Sequence, residues 1–156
     1  MKITILCIGK TNTAYLKEGI TIYLDRLKHY ARLEYRELPD VNSKGLTPDQ
    51  LKQKEGELLF KTLKLEDHVL LLDERGEEFS SRKFASFIQK KLNTGAKSLV
   101  LIIGGAFGFS EEIYARANGK ISLSQMTFSH EMIRLLLVEQ TYRAFTILKG
   151  ESYHHD

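Results

Sequence analysis

Acidic, basic and aromatic side chains near the carboxyl end of the chain have spacings that suit proton transfer or charge stabilisation. Glu139 and Arg143 are four residues apart, so a helix places them on one face, with Tyr142 beside them. The same spacing is equally typical of an exposed ion pair that adds little to stability. Tyr153 and His154 follow in the last residues. An aromatic ring beside an imidazole can stack on an RNA base, although such a tail is more often frayed.

A glycine-rich loop at residues 103–108 follows an apolar run that predicts a buried strand. Its three glycines would let backbone amides approach a ligand closely; a tight turn into the next helix is an equally good interpretation. That helix begins with Glu111 and Glu112. They place carboxylates where a pyrophosphate needs amides and the positive end of the helix dipole. The loop therefore disfavours ATP, NAD and FMN, and the chain has no G-x-x-x-x-G-K-[ST] motif.

A second loop, residues 123–130, leaves another predicted strand and enters the last helix. Its mixture of apolar and hydroxyl residues suits an adenine and a ribose held by backbone contacts, or simply a helix entry with several capping residues. His130 and Arg134 are four residues apart and are also consistent with a solvated flank. The single cysteine, Cys7, and the isolated histidines form no metal-ligand pattern, so no metal is expected.

Alternating strands and helices must position these loops. The predicted strands are 3–8, 33–38, 68–73, 98–103 and 120–123; the predicted helices are 15–30, 47–63, 81–92, a short helix capped by Ser110, and a last helix from about Ser129 to about Lys149. A turn at Arg75-Gly76 is expected to end the third strand. This order is typical of an α/β fold with a mainly parallel sheet and helices on both faces. Ligands bind such folds at the carboxyl ends of the strands.

Length and composition favour one ordinary domain over residues 1–156. With 42% hydrophobic and 28% charged residues, disordered and collagen-like classes are excluded. Lys and Arg number 23 against 20 Asp and Glu, and this net charge of +3 permits a nucleic-acid partner without requiring one. No run is long enough to span a bilayer, and no cleavage region follows the first apolar stretch. We therefore expect a soluble cytoplasmic protein with no membrane partner.

The last helix is apolar on nearly all sides. Met132, Ile133 and residues 135–138 leave few polar positions over two turns. Because the sheet of so short a chain can cover only one side of this helix, the other side predicts contact with a second subunit in a homodimer.

These segments together resemble a known family. The residues that carry the resemblance are Met1-Lys2-Ile3, Ile8-Gly9-Lys10, residues 102–105 with Gly108, residues 123–127, His130, Arg134, Glu139-Gln140, Tyr142-Arg143-Ala144, Lys149-Gly150-Glu151 and Tyr153-His154. The chain closely resembles the bacterial large-subunit ribosomal RNA pseudouridine-N3 methyltransferase H family, of the SPOUT class, over its whole length. The C-terminal third is the most specific part, because many residue types there recur at fixed spacing.

The resemblance implies a homodimer whose α/β fold threads a C-terminal trefoil knot. It implies S-adenosylmethionine as cofactor and, as substrate, a pseudouridine of 23S rRNA that is methylated at N3 on assembled ribosomes. By position, the implied cofactor pocket comprises Leu72, Gly104, Leu123, Ser124, Gln125, Met126, Thr127 and Phe128. The implied catalytic residues are Glu139, Arg143, Tyr153 and His154, and the implied RNA contacts are His130, Arg134 and Tyr142. A sulfonium cofactor without phosphate also fits the acidic start of the helix after the glycine-rich loop.

Two mechanistic roles stay open at this point. Glu139 and His154 are both candidates for the base that accepts the N3 proton. Arg143 or Arg134 is suited to stabilise negative charge on the carbonyls of the target base. The main alternative function is a non-catalytic RNA- or ribosome-binding module of the same fold, and a flavodoxin-like nucleotide protein is a third.

The chain departs from the family at its tail. Family members commonly end in Pro-Tyr-His followed by Lys or Arg, whereas here Ser152 precedes Tyr153, and His155 and Asp156 come last. These differences predict a less rigid and less cationic tail, in which His155 replaces the missing basic residue only when protonated.

Overall fold

Strands and helices alternate along the whole chain, as the hydrophobic periodicity predicts. The computed structural model describes residues 1–156. The elements are β1 Lys2–Ile8, α1 Ala14–Leu27, β2 Leu33–Leu38, α2 Pro48–Thr62, β3 His68–Glu78, α3 Ser81–Asn93, β4 Ser98–Ile103, α4 Glu111–Arg116, β5 Gly119–Ser122 and α5 Met132–Leu148. The predicted α/β class is confirmed.

The five strands form one sheet in the order β2-β1-β4-β3-β5, and every neighbouring pair is parallel. The first strand lies inside the sheet: β2 is its neighbour on one side, and the later strands, beginning with β4, lie on the other. The carboxyl ends of β3, β4 and β5 therefore lie next to one another at one edge of the sheet, with no strand from elsewhere between them.

Helices cover both faces of the sheet, which explains why the central strands are almost wholly apolar. Ile3, Ile5 and Cys7 point into a core shared with α1, α3 and α5, whereas Leu6 and Ile8 point into a second core shared with α2 and α4. Cys7 is fully buried, and burial raises the pKa of its thiol to about 11. It is a core residue, as predicted, and its thiol stays protonated.

Side-chain caps fix the helix starts where the sequence predicts them. Thr47 and Gln50 form a reciprocal capping box at α2, and Ser110 accepts a hydrogen bond from the amide of Ile113 at α4. The last helix differs: Ser129 Oγ accepts from the amide of Met132 at 3.1 Å, but the N-cap of α5 is Glu131, which has no side-chain cap, and the helix begins at Met132, three residues after the predicted start. No helix in the structure is both long enough and apolar enough to cross a membrane.

The third strand does not end at the predicted turn. β3 continues through Arg75 and Gly76 to Glu78 and pairs with β5 on both sides of an irregularity between Leu72 and Glu77. A Cβ atom at Gly76 would lie 2.5 Å from the carbonyl carbon of Ile121, so glycine marks a close approach of two strands rather than a turn. The extension brings Asp73 and Glu74 to the sheet edge where the strands β4 and β5 end.

Candidate active site

A cavity of about 330 Å³ lies at the carboxyl ends of β3, β4 and β5. This volume falls within the usual range for small-molecule sites, about 300–1,000 Å³. The residues implied for the cofactor that line it are Leu72, Gly104, Leu123, Ser124, Met126, Thr127 and Phe128. Gln125 does not line it, and its side chain is exposed. Both loops singled out in the sequence therefore form walls of one cavity.

The glycine-rich loop presents backbone rather than side chains to this cavity. Gly105 and Gly108 close a tight turn, with the amide of Gly108 donating to the carbonyl of Gly105 at 3.3 Å, and Gly108 has φ of +82°. A Cβ atom at Gly105 would lie 2.5 Å from a carboxylate oxygen of Glu55, so no side chain fits there. The tight-turn interpretation of this loop is confirmed, and the same turn forms one wall of the cavity.

The second loop is held by its own hydroxyl groups. Ser122 Oγ donates to the carbonyl of Ser124 at 2.9 Å, and Ser124 Oγ accepts from the amide of Met126 at 3.0 Å. Met126 is 76% exposed and Phe128 is 37% exposed. Ordered backbone flanked by accessible apolar side chains suits the flat, polar-edged surface of a nucleoside.

Acidic side chains give the cavity a preference for positive ligands. Asp73 and Glu74 both line it. Burial raises the pKa of Asp73, but hydrogen bonds from the Tyr114 hydroxyl and the Arg75 amide, together with nearby lysine and arginine charge, outweigh burial and leave the pKa below its usual value. The carboxylate is therefore ionised at neutral pH, which favours a cationic ligand and disfavours a phosphate.

The four residues expected to be catalytic form one hydrogen-bonded cluster, which we call the tail cluster: Glu139, Arg143, Tyr153 and His154. Arg143 Nη2 lies 2.5 Å from Glu139 Oε1, and Arg143 Nε lies 3.1 Å from the same oxygen. The Tyr153 hydroxyl donates to that oxygen at 3.0 Å, and Arg143 Nη1 lies 3.3 Å from His154 Nδ1. The Glu139–Arg143 pair is not an exposed ion pair, since its side chains are 16% and 23% exposed.

Aromatic packing holds the tail against α5. The Tyr153 ring meets the Tyr142 ring edge-on at 4.8 Å, and the Arg143 guanidinium lies 4.7 Å from the centre of the Tyr153 ring. Burial and hydrogen bonds to Tyr23 and Glu139 raise the pKa of Tyr153, so its hydroxyl stays protonated and donates. Residues 153 and 154 therefore pack against α5 through specific contacts, and the effect of Ser152 on the rigidity of the tail stays a prediction.

The burial of two residues argues against the RNA contacts expected for them. Arg134 is fully buried; its guanidinium donates to the carbonyls of Ile8 and Gly9 at 2.7 and 3.0 Å, and to the Thr11 hydroxyl at 2.9 Å. Tyr142 is 9% exposed beneath the ring of Tyr153. Arg134 therefore ties α5 to the end of β1, and the same burial argues against its stabilising charge on a bound base. His130, by contrast, is exposed and lines the cavity.

The tail cluster does not line the cavity of its own chain. Ile133, near the start of α5, is a lining residue, whereas Glu139 and Arg143 are six and ten residues further along this helix. A rise of 1.5 Å per residue puts them about 9 and 15 Å away along the helix axis. The two halves of the expected site are thus separate within one chain.

Several supporting contacts escape sequence reasoning because they join residues far apart in the chain. Glu131 accepts hydrogen bonds from the amide and hydroxyl of Thr13, 118 residues away. Arg82 and Asp156, 74 residues apart, form a bidentate pair beside His154. Residue spacing along the chain does not predict such pairs. They depend on the packing of α1 and α3 against α5, which follows from the order of the strands in the sheet. No group of three or more His, Cys, Asp or Glu side chains is arranged to hold a metal ion.

Comparison with known proteins assigns the chain to a family. The family model described as "Predicted SPOUT methyltransferase" matches residues 1–154. The chain is 54% identical to the ribosomal RNA large subunit methyltransferase H of Christiangramia forsetii over 156 residues, which covers 99% of each chain. It is also 54% identical to the protein of the same name from Cytophaga hutchinsonii, over 99% of this chain and all of the relative, and 51% identical to that of Parabacteroides distasonis over the full length of both. The chain belongs to the SPOUT methyltransferase family.

Proposed function

We propose that the protein transfers a methyl group from S-adenosylmethionine to N3 of a pseudouridine in 23S rRNA, on assembled ribosomes in the cytoplasm. The relatives' names support a ribosomal RNA of the large subunit as substrate. One observation carries the proposal: the chain has both an acidic cavity walled by backbone at the strand ends and the tail cluster of hydrogen-bonded side chains on α5 and the residues after it.

The cavity fits S-adenosylmethionine in shape and charge. Residues 123–128 would hold the adenosine through backbone contacts, and Gly104 would allow close approach at the opposite wall. Asp73 and Glu74 favour the positive charge of the cofactor's sulfonium and amino groups. When bound, the cofactor supplies an electrophilic methyl group on sulfur.

The cluster is suited to manage the proton and the charge on the target base. N3 must lose its proton as its lone pair forms the new bond to carbon and the sulfur–carbon bond breaks. Glu139 is the better candidate base, because its Oε2 accepts a single hydrogen bond, from the side-chain amide of Gln140 at 2.9 Å, and keeps a free lone pair for the proton. The corresponding nitrogen of His154, Nδ1, is already occupied by the Arg143 guanidinium. Arg143 uses three of its five N–H donors within the cluster, which leaves two to stabilise negative charge on the base carbonyls.

Two copies of the chain are needed to assemble this site. Because the cluster of one chain is displaced along α5 from its own cavity, we propose a homodimer in which the cluster of one subunit faces the cavity of the other. A second cavity of about 350 Å³ supports this arrangement: it adjoins the first at Leu123 and Phe128 and is walled by Leu136 of α5. It continues the apolar side of α5 that a partner would cover. We further propose that the segment after β5 is threaded as the trefoil knot implied by the family.

Methylation by the purified chain tests the proposal. Calorimetry should show S-adenosylmethionine binding, and mass spectrometry of rRNA from ribosomes of a strain lacking the gene should show one methyl group restored. We expect Glu139→Gln to lower turnover by about 10²- to 10⁴-fold, the usual contribution of a positioned base. The cofactor affinity of this variant should stay normal, since Glu139 does not line the cavity of its own chain and is proposed to act on the target base rather than on the cofactor.

Glu18→Gln, an exposed change on α1, is the matched control and should leave turnover unaltered. RNA binding without cofactor binding would favour the non-catalytic RNA-binding alternative instead. Normal turnover of Glu139→Gln would exclude Glu139 as the base while leaving the reaction itself intact.

A further inference from the structure

Both ring nitrogens of His154 have partners in the structure, and the partners differ in kind. Nδ1 lies 3.3 Å from Arg143 Nη1, and Nε2 lies 3.1 Å from Asp156 Oδ1. A guanidinium carries only donors, so Nδ1 must accept. The ring proton is therefore on Nε2, where it donates to the carboxylate of Asp156.

Asp156 is itself held in place by Arg82 of α3. Arg82 Nε, from α3, lies 2.8 and 3.0 Å from the two carboxylate oxygens, and Arg82 Nη2 makes a further contact with one of them. Hydrogen bonds from Arg82 and His154 lower the pKa of Asp156 to about 2, so it is ionised at neutral pH. The Arg82 and Asp156 side chains are 61% and 66% exposed, and an exposed pair of this kind contributes little to the stability of the fold.

The groups on both sides of His154 therefore favour the same tautomer of its ring. On the α5 side Arg143, paired with Glu139, requires a bare Nδ1. On the α3 side Arg82 aims the Asp156 carboxylate at Nε2. His154 itself is only 13% exposed, so water does not compete strongly for either nitrogen.

We propose that Asp156, anchored by Arg82, is a positioning residue: it fixes the Nε2–H tautomer of His154, whose Nδ1 then accepts from Arg143 and holds that guanidinium in place for methyl transfer. The inference rests on the proposed function for the reaction that it serves. It gives the last residue of the chain a role that is independent of any terminal basic residue: the acid acts on the histidine and not on RNA. It also assigns Arg82, far away in sequence, to the same unit.

Nuclear magnetic resonance of the full chain labelled with ¹⁵N-histidine tests the proposal directly, since ring nitrogen shifts report the tautomer. The chain has five histidines, and the His154 signals are identified by their loss in His154→Gln. We expect the Nε2–H form in the unaltered protein, and a mixture of tautomers in Asp156→Ala and in Arg82→Ala. Lys83→Ala, an exposed neighbour of Arg82 on α3, is the matched control and should keep the Nε2–H form.

Turnover supplies the second measurement. Asp156→Ala should lower kcat roughly tenfold, as expected for one lost orienting hydrogen bond, with KM for S-adenosylmethionine unchanged. Asp156→Asn keeps an acceptor oxygen and should recover part of the loss. An Nδ1–H tautomer in the unaltered chain, unchanged histidine signals in Asp156→Ala, or a changed tautomer with full turnover would each overturn the inference. Failure of the unaltered chain to methylate rRNA would instead contradict the proposed function, whatever the tautomer.

Discussion

A single buried arginine connects the last helix to the first strand. Arg134 lies at the start of α5, and its guanidinium donates to the carbonyls of Ile8, the last residue of β1, and of Gly9, the residue after it. Glu37 lies 3.4 Å from the same guanidinium. Burial raises the pKa of Glu37, but hydrogen bonds from Thr11 and the charge of Arg134 outweigh burial and leave the pKa below its usual value. Removing the cation would leave two buried carbonyls without a donor and a half-buried carboxylate without its countercharge.

We expect Arg134→Ala to lower the free energy of unfolding by about 3–5 kcal/mol, the usual cost of removing one partner from a buried charged network. Denaturation with urea, followed by circular dichroism, measures the loss. Arg36→Ala is the matched control: its side chain is 46% exposed and pairs only with Glu34, so its effect should stay below about 1 kcal/mol. Equal effects of the two substitutions would show that Arg134 does not carry the connection.

At the scale of whole elements, β3 determines the shape of the cavity at the strand ends. The strand runs four residues past Glu74 to Glu78, and its pairing with β5 shifts register between Leu72 and Glu77. This irregularity brings Gly76 against the backbone of Ile121, which is itself a lining residue. The geometry of the cavity floor thus depends on a contact that has no room for a side chain.

Gly76→Ala should therefore weaken S-adenosylmethionine binding at least tenfold, because the added methyl group must push β5 away from β3. Overpacking of this kind typically costs about 1–3 kcal/mol. Calorimetry provides the comparison with Glu18→Ala, an exposed change on α1 at a residue that does not line the cavity. A Gly76→Ala protein with normal affinity would mean that the strand pair does not shape the floor.

Local rules recover most of these elements and few of the contacts between them. Periodicity and caps predicted β2 and β4 at their observed bounds and located Thr47 and Ser110 as helix caps, because those signals lie within a few residues. The turn assigned to Arg75-Gly76 was wrong, because glycine signals a turn and a close approach of strands equally well. The burial of Arg134 was also missed, since its partners lie more than 120 residues away.

At the scale of the whole molecule, the cavity and the tail cluster are separate features of one chain. The cavity lies at the strand ends, and the tail cluster lies further along α5. Leu135 and Leu136, between them, are only partly buried. A partner subunit that covers this stretch would bring each cluster to the opposite cavity.

Dimers of mixed composition test this arrangement. Gly104→Val should abolish cofactor binding, because even a Cβ at Gly104 lies 3.0 Å from the Phe109 ring, and calorimetry verifies the loss. The Gly104→Val and Glu139→Gln chains, each with its own tag, are then co-expressed and their mixed dimers purified. In such a dimer the intact cluster of the Gly104→Val subunit faces the intact cavity of the Glu139→Gln subunit. The mixed dimers should therefore have about half the turnover of the unaltered dimer.

Mixed dimers of Glu139→Gln with His154→Ala serve as the control, because every cluster in them is altered. They should stay as inactive as either parent. Inactivity of the Gly104→Val and Glu139→Gln mixture, in dimers shown by light scattering to have formed, would place each cluster with its own cavity and contradict the arrangement.

The bond network around Arg134 and Glu131 also dictates when the protein can fold. Both residues join the final third of the chain to its first fourteen residues, with 118 to 126 positions between partners. The carboxyl end of the first strand consequently keeps bare carbonyls until nearly all of the polypeptide has been made. Such distant closure slows folding. A nascent chain should therefore complete this connection only after α5 has been made, and truncation before α5 would leave the carbonyls of Ile8 and Gly9 without the donors of Arg134.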